Sequence, residues 1–249
     1  MSTPVATRVG KFVWHEQLSG DPKQAQDFYT KLFGWEIDVW KPGELDYAMI
    51  GSGGQSHGGF YQAPEGVPPH WMGHVQVEDV DATAEKAKAA GGSIIHGPMD
   101  IPEVGRFVVL SDPQGGAVSA YQPEGEGPQS EGVFVWDELM TSDVSGAKNF
   151  YGKIFGWTGE DVDMGGEMTY TLFKVGDTQV AGCMPLGQAP QTAWCTYIGT
   201  DEVDASASKA QGLGATIVHP PTDIPNVGRF AIVQDPTGAV FGLFQGSAQ

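Results

Sequence analysis

The feature that most constrains this chain is that it states itself twice. Phe12-Val-Trp-His-Glu-Gln-Leu-Ser-Gly-Asp21 returns 122 residues later as Phe134-Val-Trp-Asp-Glu-Leu-Met-Thr-Ser-Asp143. At the same spacing Phe28-Tyr-Thr-Lys-Leu-Phe-Gly-Trp35 is answered by Phe150-Tyr-Gly-Lys-Ile-Phe-Gly-Trp157. One residue further on, Asp100-Ile-Pro-Glu-Val-Gly-Arg-Phe107 returns as Asp223-Ile-Pro-Asn-Val-Gly-Arg-Phe230, and Asp112-Pro-Gln-Gly115 as Asp235-Pro-Thr-Gly238. Solenoid repeats run about 20–50 residues, so a period this long means duplicated domains. Residues 1–122 read as a first domain and 133–249 as a second. The stretch between them, 123–132, has the Gly, Pro and Glu composition of a linker.

Each copy contains a weaker repeat of its own. Residues 11–18 alternate as a half-buried strand and end before an Asp-Pro turn, a helix-entry signal. Ala25, Phe28, Tyr29, Leu32 and Phe33 then fall on one helical face, which Gly34 terminates. Strands are expected at 35–40, 46–51 and 58–62, giving the order β-α-β-β-β. From Trp71 the order recurs: strand 71–77, helix 80–90, then strands 93–96, 106–111 and 117–122. The second copy reads the same way, with strands at 133–140 and 194–199 and helices at 144–155 and 203–213. The expected fold is α+β: two tandem domains, each of paired β-α-β-β-β units forming a curved mixed sheet around a pocket.

Composition narrows the function classes. Lys and Arg total 13 against 31 Asp and Glu, a formal charge of −18 that repels nucleic acid and anionic lipid, so neither is expected as a partner. A hydrophobic fraction of 40% excludes disorder, and no apolar run reaches the ~18 residues of a membrane span. The first residues show no secretory signal. Cys183 and Cys195 make no disulfide framework, which fits a reducing, cytoplasmic location.

Taken in order and twice over, Asp21, Phe28-Tyr29, Phe33-Gly34-Trp35, Asp79-Val-Asp81, Gly105-Arg106 and Asp112-Pro113-Gln114-Gly115 resemble the vicinal oxygen chelate superfamily. That superfamily includes glyoxalases, bleomycin-resistance proteins and extradiol dioxygenases. The resemblance implies a divalent metal on the concave face, with ligands seven residues before the Asp that opens each helix and seven after the Asp of Asp-Pro-x-Gly. Those positions hold Trp14, Met72 and Ser119 in the first copy, and Trp136, Cys195 and Gly242 in the second. Catalytic divalent ions need about three N or O donors and an open position, so no metal ligand is assigned. The alternative is a divalent metal in the first domain, held by a displaced set of Glu16, His57 and His74.

Strand alternation puts Phe12, Trp14, Glu16 and Leu18 on one face, with Phe134, Trp136, Glu138 and Met140 equivalent. The resemblance makes that face concave. A one-residue register error would bring in His15 and Asp137 instead. The expected ligand-binding residues are Trp14, Glu16, Met72, His74, Tyr121, Trp136, Glu138, Tyr197 and Phe244, with Glu16 and His74 as candidate acid/base groups. Trp35 and Trp157 read as packing, and Arg106 and Arg229 as braces of the Ile-Pro-x-Val-Gly-Arg loop.

The sequence reading is therefore a protein that binds a planar or aromatic small molecule, for drug sequestration or as an accessory in secondary metabolism. Such a chain is a pseudo-dimer in itself, monomeric or homodimeric. The competing reading is a glyoxalase-like lyase, isomerase or oxygenase using Glu16 and His74, with or without a metal.

Overall fold

A computed structural model of the chain describes residues 8–41, 47–125, 127–128, 132–164, 169–187 and 189–247. The first copy runs β1 (Phe12–Ser19), α1 (Pro22–Phe33), β2 (Glu36–Trp40), β3 (Tyr47–Ser52), β4 (Gln55–Gln62), β5 (His70–Gln76), α2 (Val80–Ala89), β6 (Ser93–Ile101), β7 (Gly105–Ser111) and β8 (Ala117–Pro123). The second runs β9 (Phe134–Thr141), α3 (Val144–Phe155), β10 (Thr158–Asp163), β11 (Thr169–Val175), β12 (Thr178–Pro185), β13 (Ala193–Gly199), α4 (Val203–Gly212), β14 (Thr216–Ile224), β15 (Gly228–Gln234) and β16 (Val240–Gly246). This is four β-α-β-β-β modules. Asp46 of the expected strand 46–51, and residues 126 and 129–131 of the expected linker, lie outside the described residues.

Local chemistry explains the helix ends. The Asp21 carboxylate accepts the Gln24 amide at 2.9 Å with Pro22 just inside the helix, and Gly34 closes α1 at φ 72°. Asp79 and Asp143 cap α2 and α3 in the same way. The helix α4 has Glu202 at this position and no side-chain cap. One expectation is corrected: the strand placed at 93–96 continues to Ile101. Gly97-Pro98 reads as a breaker, but irregular pairing with β7 around His96 lets the strand carry the proline past the ladder.

Two eight-stranded mixed sheets result, ordered β2-β3-β4-β1-β5-β8-β7-β6 and β10-β11-β12-β9-β13-β16-β15-β14. Each sheet is drawn from one copy. The β1–β4 and β5–β8 pairs are parallel, and the outer hairpins are antiparallel.

The hydrophobic cores are organised differently from the sheets. One compact unit gathers residues up to Trp14, Gly73–Pro128 and Trp136–Trp194; the other gathers His15–Met72, Gln129–Val135 and residues from Cys195 onward. In the first, Val80, Ala84 and Ala87 of α2 share a core with Ala147, Phe150, Tyr151 and Ile154 of α3. In the second, Phe28, Tyr29 and Leu32 of α1 are buried with Val203, Ala207 and Ala210 of α4 and Phe241 and Leu243 of β16. Each core thus joins the leading half of one copy to the trailing half of the other. Trp35 and Trp157 belong to these cores, and Trp157 donates its indole N–H to the Gly10 carbonyl at 2.7 Å.

A buried polar triad ties each core together. Asp112, 3% exposed, accepts the Gln114 and Gly116 amides on one oxygen and the Tyr151 hydroxyl, at 2.9 Å, on the other. Tyr151 in turn accepts the Trp194 indole N–H at 3.0 Å. In the other unit Asp235 fixes its own turn and accepts from Tyr29 at 2.9 Å, while Tyr29 accepts from Trp71 at 2.9 Å. Gln17 adds a second donor to Asp235 at 3.2 Å. Burial, with the neighbouring carboxylate, pushes both tyrosines well above the ordinary phenol range, so each remains a donor.

Removing a buried hydrogen-bonding hydroxyl strands its partners. Tyr29→Phe and Tyr151→Phe should each destabilise the protein by about 1–3 kcal/mol in urea denaturation. Unchanged stability in either variant would show that the triad does not hold its core.

Candidate functional site

The strand that carries Trp14 and Glu16 has two unlike faces. Val13, His15, Gln17 and Ser19 are buried, whereas Phe12, Trp14, Glu16 and Leu18 are half-buried. On β9 the half-buried row is Phe134, Trp136, Glu138 and Met140. His15 therefore turns away from Glu16, and its ring stacks on Phe134 at 4.2 Å. The aromatic ends of the two rows correct the sequence reading. Phe12 lies 5.6 Å from Trp194 and 5.9 Å from Trp157, and Phe134 lies 5.3 Å from Trp71. Both open their strands, and both pack against aromatic clusters of the cores.

Each Glu of the Trp-x-Glu pair is held by a tyrosine that the sequence reading did not select. Tyr47, the first residue of β3, donates to Glu16 at 2.6 Å. Its ring lies over Gly59 of β4, the register partner of Glu16, where any side chain would collide with it. In the second copy Tyr170 lies over Gly182, the register partner of Glu138, and donates to Glu138 at 2.7 Å. There the chain extends further, because Trp136 donates its indole N–H to the Tyr170 hydroxyl at 2.8 Å. Burial and the Glu138 charge push Tyr170 far above the ordinary phenol range, so it stays the donor to that carboxylate. The signal for these tyrosines was in the repeat: Tyr47 and Gly59 recur together 123 residues on as Tyr170 and Gly182.

The other expected residues fall into separate groups. His74 is buried on β5 in register with the fully buried Ser119 of β8. Tyr121, two pairs along, donates to the Val104 carbonyl at 2.7 Å, and burial pushes it up to about 12. Its hydroxyl therefore holds the loop before β7. Phe244, its counterpart, lacks that hydroxyl and is half-buried, its ring against Gly228. Tyr197 is buried in register with Gly242, whose missing side chain makes room for the Tyr197 ring. Met72 and Cys195 are buried. Glu16 and His74 lie in different compact units.

Arg106 grips Asp81 with two nitrogens, at 2.9 and 3.0 Å, and Asp100 at 2.7 Å. Arg229 does the same with Asp204 and Asp223. Both arginines brace their loops. His57 is buried on β4, its Nε2 3.1 Å from the Ser52 carbonyl. Among the described residues no group of three His, Cys, Asp or Glu side chains is placed to hold a metal ion, so Glu16, His57 and His74 do not form the displaced set. A surface cleft of about 400 Å³ lies along α1, lined by Asp21, Lys23, Asp27, Lys31 and Leu213 among others, and includes none of the Trp-x-Glu residues.

The Glyoxalase/Bleomycin resistance protein/Dioxygenase superfamily model matches residues 11–119 and 134–243, and the chain belongs to that superfamily. It is 35% identical to CFP32 of Mycobacterium tuberculosis, named as a glyoxylase, over 97% of either chain. It is 31% identical to the anthracycline biosynthesis protein DnrV of Streptomyces peucetius, covering 95% of this chain and 93% of that protein. In fold it resembles the Mn(II)-bound glyoxalase from Novosphingobium aromaticivorans, with a TM-score of 0.66 at 16% identity over 96% of this chain and 82% of that one. The 2,3-dioxygenase LapB from Pseudomonas sp. KL28 gives 0.65 at 12% identity over 96% and 92%. Among the described residues no helix is long and apolar enough to cross a membrane.

Next to Gly182, Cys183 is fully buried, and burial, reinforced by Glu138, pushes its thiol from 9.0 up to about 12. The unfolded chain loses this proton first, so the stabilising difference is complete below about pH 9 and disappears as pH rises toward 12. Urea denaturation from about pH 8 to about pH 10 should show stability falling above 9, by up to about 1.4 kcal/mol per unit from this group. Cys183→Ala should flatten that decline; an unchanged slope would mean the thiol does not titrate late.

Proposed function

We propose that the protein binds a planar, hydroxylated small molecule without a metal ion, the indole of Trp14 providing the stacking surface and Glu16 the acceptor for a ligand hydroxyl. The observation that carries this reading is the Tyr47–Glu16 hydrogen bond, repeated as Tyr170–Glu138. A carboxylate fixed by a neutral phenol beside an aromatic strand residue is an oriented acceptor, the kind of polar group that gives an apolar site its specificity. The family's donor positions support the absence of metal: Trp14, Met72 and Ser119 offer no donor set, and in the second copy the place of a closing-strand ligand is taken by the Tyr197 ring over Gly242. The name of the Streptomyces relative, an anthracycline biosynthesis protein, directs the search to fused hydroxylated rings. A location in the cytoplasm is part of the same proposal.

The test is titration of the purified protein with 1,4-dihydroxyanthraquinone, read by tryptophan fluorescence, together with metal analysis. Quenching that saturates, survives a chelator and accompanies less than one equivalent of Zn, Mn, Ni or Fe is expected. Trp14→Ala should lose about 0.5–1.5 kcal/mol of binding beyond the lost apolar contact. Glu16→Gln should lose about 1.5–3 kcal/mol, the worth of a hydrogen bond to a charged group. Trp35→Phe should lower stability and leave affinity nearly unchanged. A full equivalent of tightly held metal that Glu16→Gln or His74→Ala releases would overturn the reading in favour of a metal-assisted enzyme.

A further inference from the structure

The duplication supplies an internal control. The two copies share one fold, so a residue that the fold requires recurs, and one that serves a single copy does not. Around the tyrosine–glutamate pair the copies part company. Trp40 of β2 is the register partner of Tyr47, and its ring meets the Tyr47 ring edge-on, 6.4 Å between centroids. On the other flank Tyr61 of β4 is the register partner of Leu18, and its ring lies 6.5 Å from that of Tyr47. In the second copy the same two positions hold Val162, the register partner of Tyr170, and Met184, the register partner of Met140.

These side chains share a face. Residues directly opposite in an antiparallel pair point the same way, and so do residues two apart on one strand. Tyr61 therefore lies on the face of Gly59 and Glu16, and Trp40 on that of Tyr47. Glu16, Trp40, Tyr47 and Tyr61 all fall within His15–Met72, inside a single compact unit. Exposure rises along the row: Tyr47 is buried, Trp40 half-buried and Tyr61 38% exposed. A single exposed apolar side chain is ordinary, but three aromatic rings in contact beside an oriented carboxylate form a patch, and such patches mark binding surfaces. The strands do not need these rings, since Val162 and Met184 complete the same sheet in the second copy.

We propose that Trp40 and Tyr61 are specificity-determining residues of the Glu16 site, forming an aromatic ledge for the further rings of a fused-ring ligand whose hydroxyl Glu16 accepts. Aromatic faces and edges favour another ring system over an aliphatic group, because the ring quadrupoles add to the apolar contact. The Glu138 site, with aliphatic residues in both places, lacks that preference. The inference rests on the functional reading above, which gives Glu16 its hydroxyl, and adds the number of fused rings as the property selected.

The test compares 1,4-dihydroxyanthraquinone with 1,4-dihydroxybenzene in calorimetry, on the full chain carrying Glu138→Gln to remove the acceptor of the second copy. In the double variant Trp40→Val with Tyr61→Met, each residue is replaced by the one with which the second copy folds. Affinity for the anthraquinone should fall about tenfold. The ratio of the two affinities should fall by nearly the same factor, because the single ring leaves the ledge empty. Equal losses for both ligands would show that the exchange merely loosens the sheet, and would overturn the inference. Glu16→Gln in the same chain should weaken both ligands. Loss with Glu16→Gln but not with the double variant would overturn this inference alone and leave the functional reading standing. No effect of Glu16→Gln on either ligand would overturn both together.

Discussion

Each core closes around a buried carboxylate that does two jobs at once. One oxygen of Asp112 or Asp235 gathers the amides of its own turn, and the other takes the hydroxyl of a tyrosine on a helix of the opposite copy. A charge so deeply buried is tolerable only when its lone pairs are filled. The turn therefore cannot form its full set of bonds until the partner helix is in place. The tyrosine in turn receives an indole N–H from Trp194 or Trp71, which seats the strand that follows. Turn, helix and strand are fixed by a single chain of three side chains, and this holds the aromatic clusters in register. The sheets can be drawn from single copies while the cores are shared, because the triads specify the sharing.

A second device recurs in the sheets that carry Trp-x-Glu. A tyrosine fills the space left by a glycine of the neighbouring strand: Tyr47 at Gly59, Tyr170 at Gly182 and Tyr197 at Gly242. The absent side chain lets the ring approach the backbone, which sets where its hydroxyl or edge points. In the first two cases the hydroxyl reaches a glutamate, and the ring serves to aim a polar group. In the third the ring covers the closing strand. The same packing solution thus orients chemistry in one place and excludes it in another.

Much of this was legible in the sequence. The duplication, the four modules, the helix caps at Asp21, Asp79 and Asp143, and the alternation that puts Trp14 and Glu16 on one face follow from spacing and local chemistry. The shared cores were not legible. Phe28-Tyr29 of α1 and Phe150-Tyr151 of α3 are the same motif, so periodicity cannot say which helix each will meet. Gly97-Pro98 reads locally as a break, and only pairing with β7 carries the strand through it. Tyr47 is the first residue of its strand and Tyr170 the second of its own, where alternation has barely started to assign faces, and their role depends on a glycine in another strand. Phe12 and Phe134 keep the alternation, but what their rings meet, the aromatic clusters of the cores, depends on partners far away in the sequence.

Sharing cores between copies also sets the order in which a growing chain can finish folding. One unit is complete once Trp194 has been made, because its sequence ends there. The other includes His15–Met72 from early in synthesis but needs Phe241 and Leu243, and the carboxylate of Asp235, to close. During the intervening stretch the aromatic face of α1, with Tyr29, Phe28 and Trp71, has no permanent cover. Ribosomes add about 5–20 residues per second, so that face waits on the order of ten to thirty seconds for its partner. A nascent chain in this state carries one finished half and one half whose apolar face is still open.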